Sequence, residues 1–174
     1  MNYIKITKND IANGPGVRCV LWVAGCTIGC PNCHNKEAQD FNAGTLFDEN
    51  AKNELFEALS KPYIQGITFS GGHPIERHNA SMIYDLIREI KDKFPLKDIW
   101  LYTGWKLSIN DFKPPYFDIT IPDEIFRMCD VIVDGPYIEE QRDITLTFRG
   151  SRNQRLIDVK ETLKQGKIVT LQND

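Results

Sequence analysis

The 174-residue sequence has no apolar run that approaches the roughly 18 residues of a membrane-spanning helix. Its opening segment, MNYIKITKND, lacks an apolar h-region, so no secretory signal is expected. Neither sign of charge dominates: 21 basic and 24 acidic residues leave a formal net charge of −3 and no basic footprint for nucleic acid. No internal repeat, low-complexity tract or linker interrupts the chain. An even set of cysteines is also missing. Five cysteines in a chain with no export signal disfavour a disulfide framework and point to the cytoplasm. With 41% hydrophobic and 26% charged residues, the composition is that of a globular protein. The length fits one domain over residues 1–174, long enough to bury about 70% of its unfolded surface.

Strand and helix signals alternate along this chain. Val17 to Val23 is rich in β-formers and apolar at nearly every position, as a strand covered on both faces would be. Ile67–Ser70, Ile99–Tyr102 and Val131–Val133 read as further strands, with Thr145–Phe148 and Ile168–Leu171 as additional ones. Helices are expected from an Asp48 N-cap through Ser60, over Asn79–Lys93, from Pro122 through Met128, and over Val159–Gln165. Alternation of this kind implies βαβ units and a largely parallel sheet. A complete eight-stranded barrel takes about 250 residues, so the expected fold is α/β, a partial, open βα barrel of roughly five or six βα units. The segment after Val23, Gly71-Gly72, Thr103-Gly104 and Asp134-Gly135 each follow a predicted strand. In parallel α/β folds ligands bind at the C-terminal strand ends, so these segments would share one rim.

Three of the five cysteines, Cys26, Cys30 and Cys33, fall within eight residues of a glycine-rich segment. A [4Fe–4S] cluster usually takes four thiolates. Three would leave one iron open to a small molecule, as catalytic zinc keeps an open position. Other readings stand beside this one. Cys30-Pro31-Asn32-Cys33-His34 fits the C-x-x-C-H haem-attachment pattern, although such attachment follows export. Cys26, Cys30, Cys33 and His34 could form a Cys3His zinc site, although Cys33 and His34 are adjacent. Cys30 and Cys33 could be a redox dithiol, which would leave Cys26 unexplained, or all three could be buried apolar residues. Cys19, inside a strand, and Cys129, where a helix meets a strand, read as core.

The C-x3-C-x2-C loop after a first strand resembles the radical S-adenosylmethionine (SAM) superfamily. Asn13-Gly14-Pro15-Gly16-Val17-Arg18 before it and Cys33-His34-Asn35 at its end resemble glycyl-radical-enzyme activases. Matches continue in order through Pro62–Gly66, Ser70–Gly72, Lys97–Gly104, Asp130–Gly135 and Arg149–Gln154, over residues 1 to about 165. Together they resemble the branch of the family that serves anaerobic ribonucleoside-triphosphate reductase.

That resemblance implies that Cys26, Cys30 and Cys33 hold three irons of one [4Fe–4S] cluster and SAM chelates the fourth. Reductive cleavage of SAM would give a 5′-deoxyadenosyl radical, which would take a hydrogen from a glycine of the large reductase subunit. It also implies a small electron donor such as a flavodoxin, and no nucleic-acid or membrane partner. Asn32, Cys33 and His34 would meet the adenine end of SAM, and Gly71 and Gly72 the methionine end. Thr103 would approach the ribose, and Asp134 would order a SAM-facing strand end. The family carries an acidic residue after its two glycines to pair with the SAM amino group. Here that position is His73, which as a neutral ring can still accept one hydrogen bond. His34 stands where reductase activases carry Tyr. Pyruvate formate-lyase activases carry Cys-His-Asn there, so another glycyl-radical enzyme is the alternative target, and a non-enzymatic metal module is the alternative class.

Overall fold

The computed structural model describes residues 1–112 and 124–171. One seven-stranded sheet organises them, in the order β3-β1-β2-β4-β5-β6-β7. β1 (Asn2–Asp10) and β2 (Val17–Val23) form an antiparallel hairpin, and β3 (Thr45–Leu46) pairs antiparallel on the outer side of β1. β2, β4 (Ile64–Gly71), β5 (Asp98–Tyr102) and β6 (Val131–Asp134) are parallel, and β7 (Arg155–Asp158) closes the other edge antiparallel to β6. Helices α1 (Glu49–Leu59), α2 (Arg77–Lys93) and α3 (Val159–Gln165) complete the fold.

This architecture corrects the barrel expectation. Among the described residues the sheet is open and mixed, carries three α-helices, and does not resemble a radical SAM βα barrel. Only α1 and α2 link consecutive parallel strands among the described residues. The physical reason lies at both edges. The polar first segment folds back on β2 as a hairpin, and β7 turns back along β6, so neither edge continues the right-handed βα winding that closure requires. Two other expectations also fail. Thr145–Phe148 forms turns, and Ile168–Leu171 makes only an isolated bridge between Thr170 and Ile157. Pro122 lies outside the described residues, and the segment after it, residues 124–128, is a single turn in which the Met128 N–H donates to the Glu124 carbonyl.

The remaining elements form where the sequence places them, for local reasons. The Asp48 carboxylate accepts from the Ala51 N–H at 2.9 Å and caps α1. Asp158 caps α3 in the same way on the Glu161 N–H, and Gly166 ends that helix in the left-handed conformation. Alternation along β2 sends Cys19, Leu21 and Val23 to one face, where they join Ile67, Phe69 and Leu101 under Leu55, Ile83, Ile87 and Ile90 of the two long helices. On the opposite face Trp100, Val131, Val133 and Leu156 form a smaller cluster, packed against Phe148. In β2, residues on both faces are buried, with Val17 and Trp22 half-covered.

A buried arginine fixes the end of the sheet remote from the cysteines. Arg18 has no exposed surface. Its guanidinium donates to Asp98 at 2.5 Å, to Thr68 Oγ1 at 2.7 Å and to the carbonyls of Pro15 and Ile67 at 3.0 Å. It also sits over the Trp100 ring at 5.2 Å. Thr68 Oγ1 donates in turn to the Asn13 carbonyl, so one side chain ties the Asn13–Gly16 turn to β4 and β5. Removing it leaves buried acceptors unpaired. Arg18→Ala is expected to lower the unfolding free energy by about 3–5 kcal/mol, measured by urea denaturation.

Candidate functional site

Strands β2, β4 and β5 deliver their C-terminal ends to one rim, and the cysteine segment lies across it. The segment is held by backbone rather than by a helix. The Gly25 N–H donates to the Ala38 carbonyl at 2.8 Å and the Cys26 N–H to the Gln39 carbonyl at 3.2 Å. From the other side the Gly72 N–H reaches the Val23 carbonyl at 2.7 Å and the His73 N–H the Gly25 carbonyl at 2.8 Å. Both glycines are sterically required. Gly71 has φ +107°, and a Cβ there would lie 2.5 Å from the Val23 backbone. A Cβ on Gly72 would lie 2.5 Å from the Ala38 oxygen and 2.6 Å from the Gly25 oxygen. The close approach they permit is first of all to the cysteine segment itself.

A cavity of about 120 Å³, open to solvent, lies at this rim. Cys26, Cys30 and Cys33 line it together. So do His34, Gly71, Gly72, His73 and Thr103. Two expected residues do not. Asn32, held at φ +55°, lies in an adjoining recess that shares His34 and Tyr137 with the cavity. Asp134 is fully buried away from the lining: its carboxylate accepts from Arg155 and from the Leu107 N–H, joining β6, β7 and the segment after β5. Sequence reasoning missed Gln39 and Tyr137, which also line the cavity. Tyr137 carried a usable signal, since it follows Asp134-Gly135 at a strand end. Gln39 arrives only through the 3-10 turn at Lys36–Gln39.

The donor set suits an iron–sulfur cluster. Among the described residues no group of three His, Cys, Asp or Glu side chains converges on the position of one metal ion. A cubane needs no such convergence, because each thiolate meets its own iron; the three thiols share a cavity instead of a point. A backbone N–H already faces one of the sulfurs. Asn35 N–H donates to Cys33 Sγ at 3.4 Å. Such bonds stabilise thiolates and tune clusters. Burial nevertheless raises the Cys26 thiol above its ordinary pKa, with the charges of Glu76 and Cys30 adding to it.

His73 is 1% exposed, and both its ring nitrogens are engaged: Nδ1 with Glu76 at 3.3 Å and Nε2 with Thr103 Oγ1 at 2.9 Å. Burial lowers its pKa against the opposing pull of Glu76, which keeps the ring neutral near pH 7. Cys19 and Cys129 lie in the core, where burial raises the first thiol to about 11 and the second further still.

A family model described as a 4Fe-4S single cluster domain matches residues 12–157, which takes in the cysteine segment, the parallel strands and both long helices. This defines the class: an iron–sulfur protein with one cluster. The chain is 42% identical over 156 residues to the anaerobic ribonucleoside-triphosphate reductase-activating protein of Enterobacteria phage T4, covering 90% of this chain and 93% of that protein. It is 38% identical over 160 residues to the protein of that name from Haemophilus influenzae and 37% identical over 157 residues to that of Escherichia coli K12. Each of these matches covers 88% of this chain and 96% of the relative. The chain belongs to the anaerobic ribonucleoside-triphosphate reductase-activating protein family. Among the described residues no helix is long and apolar enough to cross a membrane.

The five thiols should separate by environment. Native cluster-free protein treated with iodoacetamide is expected to be alkylated at Cys26, Cys30 and Cys33, with Cys19 and Cys129 modified only after denaturation, as read by peptide mass spectrometry.

Proposed function

We propose that this chain is the activase of an anaerobic ribonucleoside-triphosphate reductase and works by radical SAM chemistry. The observation that carries the proposal is the set of three thiols on one segment lining one cavity, with an N–H donor on one of the sulfurs and the other two cysteines in the core. A reduced [4Fe–4S] cluster, when bound, supplies the electron that cleaves SAM to methionine and a 5′-deoxyadenosyl radical, which takes a hydrogen atom from a glycine of the large reductase subunit.

The chain's own residues hold, orient and shield. Cys26, Cys30 and Cys33 would hold the cluster, and three thiolates would leave one iron available to SAM. Gly71 and Gly72, at the floor of the cavity, leave room for the methionine end. His34 and Asn32, at the exposed lip, suit the adenine end. Thr103 and His73 form the wall behind, and Asp134 with Arg155 braces the strand ends that carry that wall. A small electron donor such as a flavodoxin supplies the electron, and the cytoplasm is the compartment that keeps these thiols reduced. The open mouth admits the partner's glycine segment, which in covering the site excludes water from the reactive radical.

Cys26→Ala, Cys30→Ala and Cys33→Ala are each expected to abolish release of 5′-deoxyadenosine from SAM in an anaerobic assay with dithionite. Cys19→Ala should retain it and lose only about 1 kcal/mol of stability. Release from any of the three loop variants at the wild-type rate contradicts the assignment.

A further inference from the structure

The side chains around His73 form a continuous hydrogen-bonded chain behind the cavity wall. Thr27, the residue after the first cysteine, donates its hydroxyl proton to Glu76, at 2.7 Å from Oε1 and 3.1 Å from Oε2. Glu76, 8% exposed, faces His73 Nδ1 at 3.3 Å, and His73 Nε2 meets Thr103 Oγ1 at 2.9 Å. Thr103 Oγ1 also accepts from the Trp105 N–H at 3.1 Å, and the Trp105 ring packs edge-on against His73 at 5.0 Å.

The protons can be assigned by elimination. An ionised carboxylate only accepts, so Nδ1 carries the ring proton. Nε2 is then an acceptor, and the Thr103 hydroxyl, which accepts from Trp105, donates its proton to it. Every donor then has an acceptor with the ring neutral. The opposite tautomer would set a nitrogen lone pair against a carboxylate. Backbone contacts secure the same segment: Asn79 Nδ2 donates to the Ala24 carbonyl at 2.8 Å and to the His73 carbonyl at 3.1 Å.

We infer that Thr27, Glu76, His73 and Thr103 act as one positioning device, a clamp that fixes the segment bearing Cys26 to the ends of β4 and β5. His73 presents no free nitrogen to a ligand; it acts through Glu76 and Thr27 on the geometry of the first cysteine. The inference rests on the reading of Cys26 as a cluster ligand.

Iron release to a chelator from the anaerobically reconstituted full chain tests the clamp. Thr27→Val and Thr103→Val are each expected to release iron roughly tenfold faster, equivalent to about 1.4 kcal/mol. Thr27→Ser and Thr103→Ser, which keep the hydroxyl, should match wild type. The double valine variant should release no faster than the faster single one, because both substitutions break one chain. Multiplicative effects, or serine variants as labile as the valine ones, overturn the clamp. A second measurement needs no cluster: a long-range 1H–15N NMR spectrum of the cluster-free full chain should show His73 protonated at Nδ1. Protonation at Nε2 overturns the clamp as well. A chain that takes up no cluster at all defeats the proposed function, while the tautomer still decides the clamp.

Discussion

The whole site depends on how closely two strand ends pass each other. Gly71 and Gly72 bring the end of β4 against the backbone that leaves β2, near enough for Gly72 to donate to Val23 and His73 to donate to Gly25. A segment so rich in glycine and cysteine has little propensity of its own, and the backbone entropy of ordering it is large. Those bonds, with the ones from Gly25 and Cys26 to Ala38 and Gln39, offset part of that cost. With the segment held this way, the three thiols line one cavity.

The same crossing explains the division of labour along the rim. Side chains that look polar and available in the sequence are spent on holding backbone. Asp134 is consumed by Arg155 and the Leu107 N–H, and His73 by Glu76 and Thr103. Facing the cavity are sulfur, glycine backbone, His34, Tyr137 and neutral polar side chains such as Asn35, Gln39 and Gln154. That surface suits an inorganic core with a flat or flexible organic ligand, and among the described residues its lining holds no carboxylate or amine side chain.

Much of this was legible in the residues. The β2 strand was readable because its apolar run needs cover on both faces, and α1 and α2 because their stripes follow the helical period. The grouping of the three cysteines with Gly71, Gly72 and Thr103 followed from their places after parallel strands. The barrel was misjudged because strand direction is not written locally. Residues 2–10 mix lysine, threonine and asparagine with isoleucine, and only pairing with β2 shows that this segment closes an edge. The role of His73 was equally hidden, since its partners lie 3 and 30 residues away and meet only in the fold.

The central claim is that the three-thiol cavity serves radical transfer to a protein glycine. Electron paramagnetic resonance measures this most directly. The reconstituted chain would be mixed anaerobically with SAM, a reductant and the large subunit of an anaerobic ribonucleoside-triphosphate reductase. The account predicts a glycyl-radical doublet in the reductase, absent when SAM is omitted. Full cluster loading and bound SAM with no doublet in the reductase would contradict it.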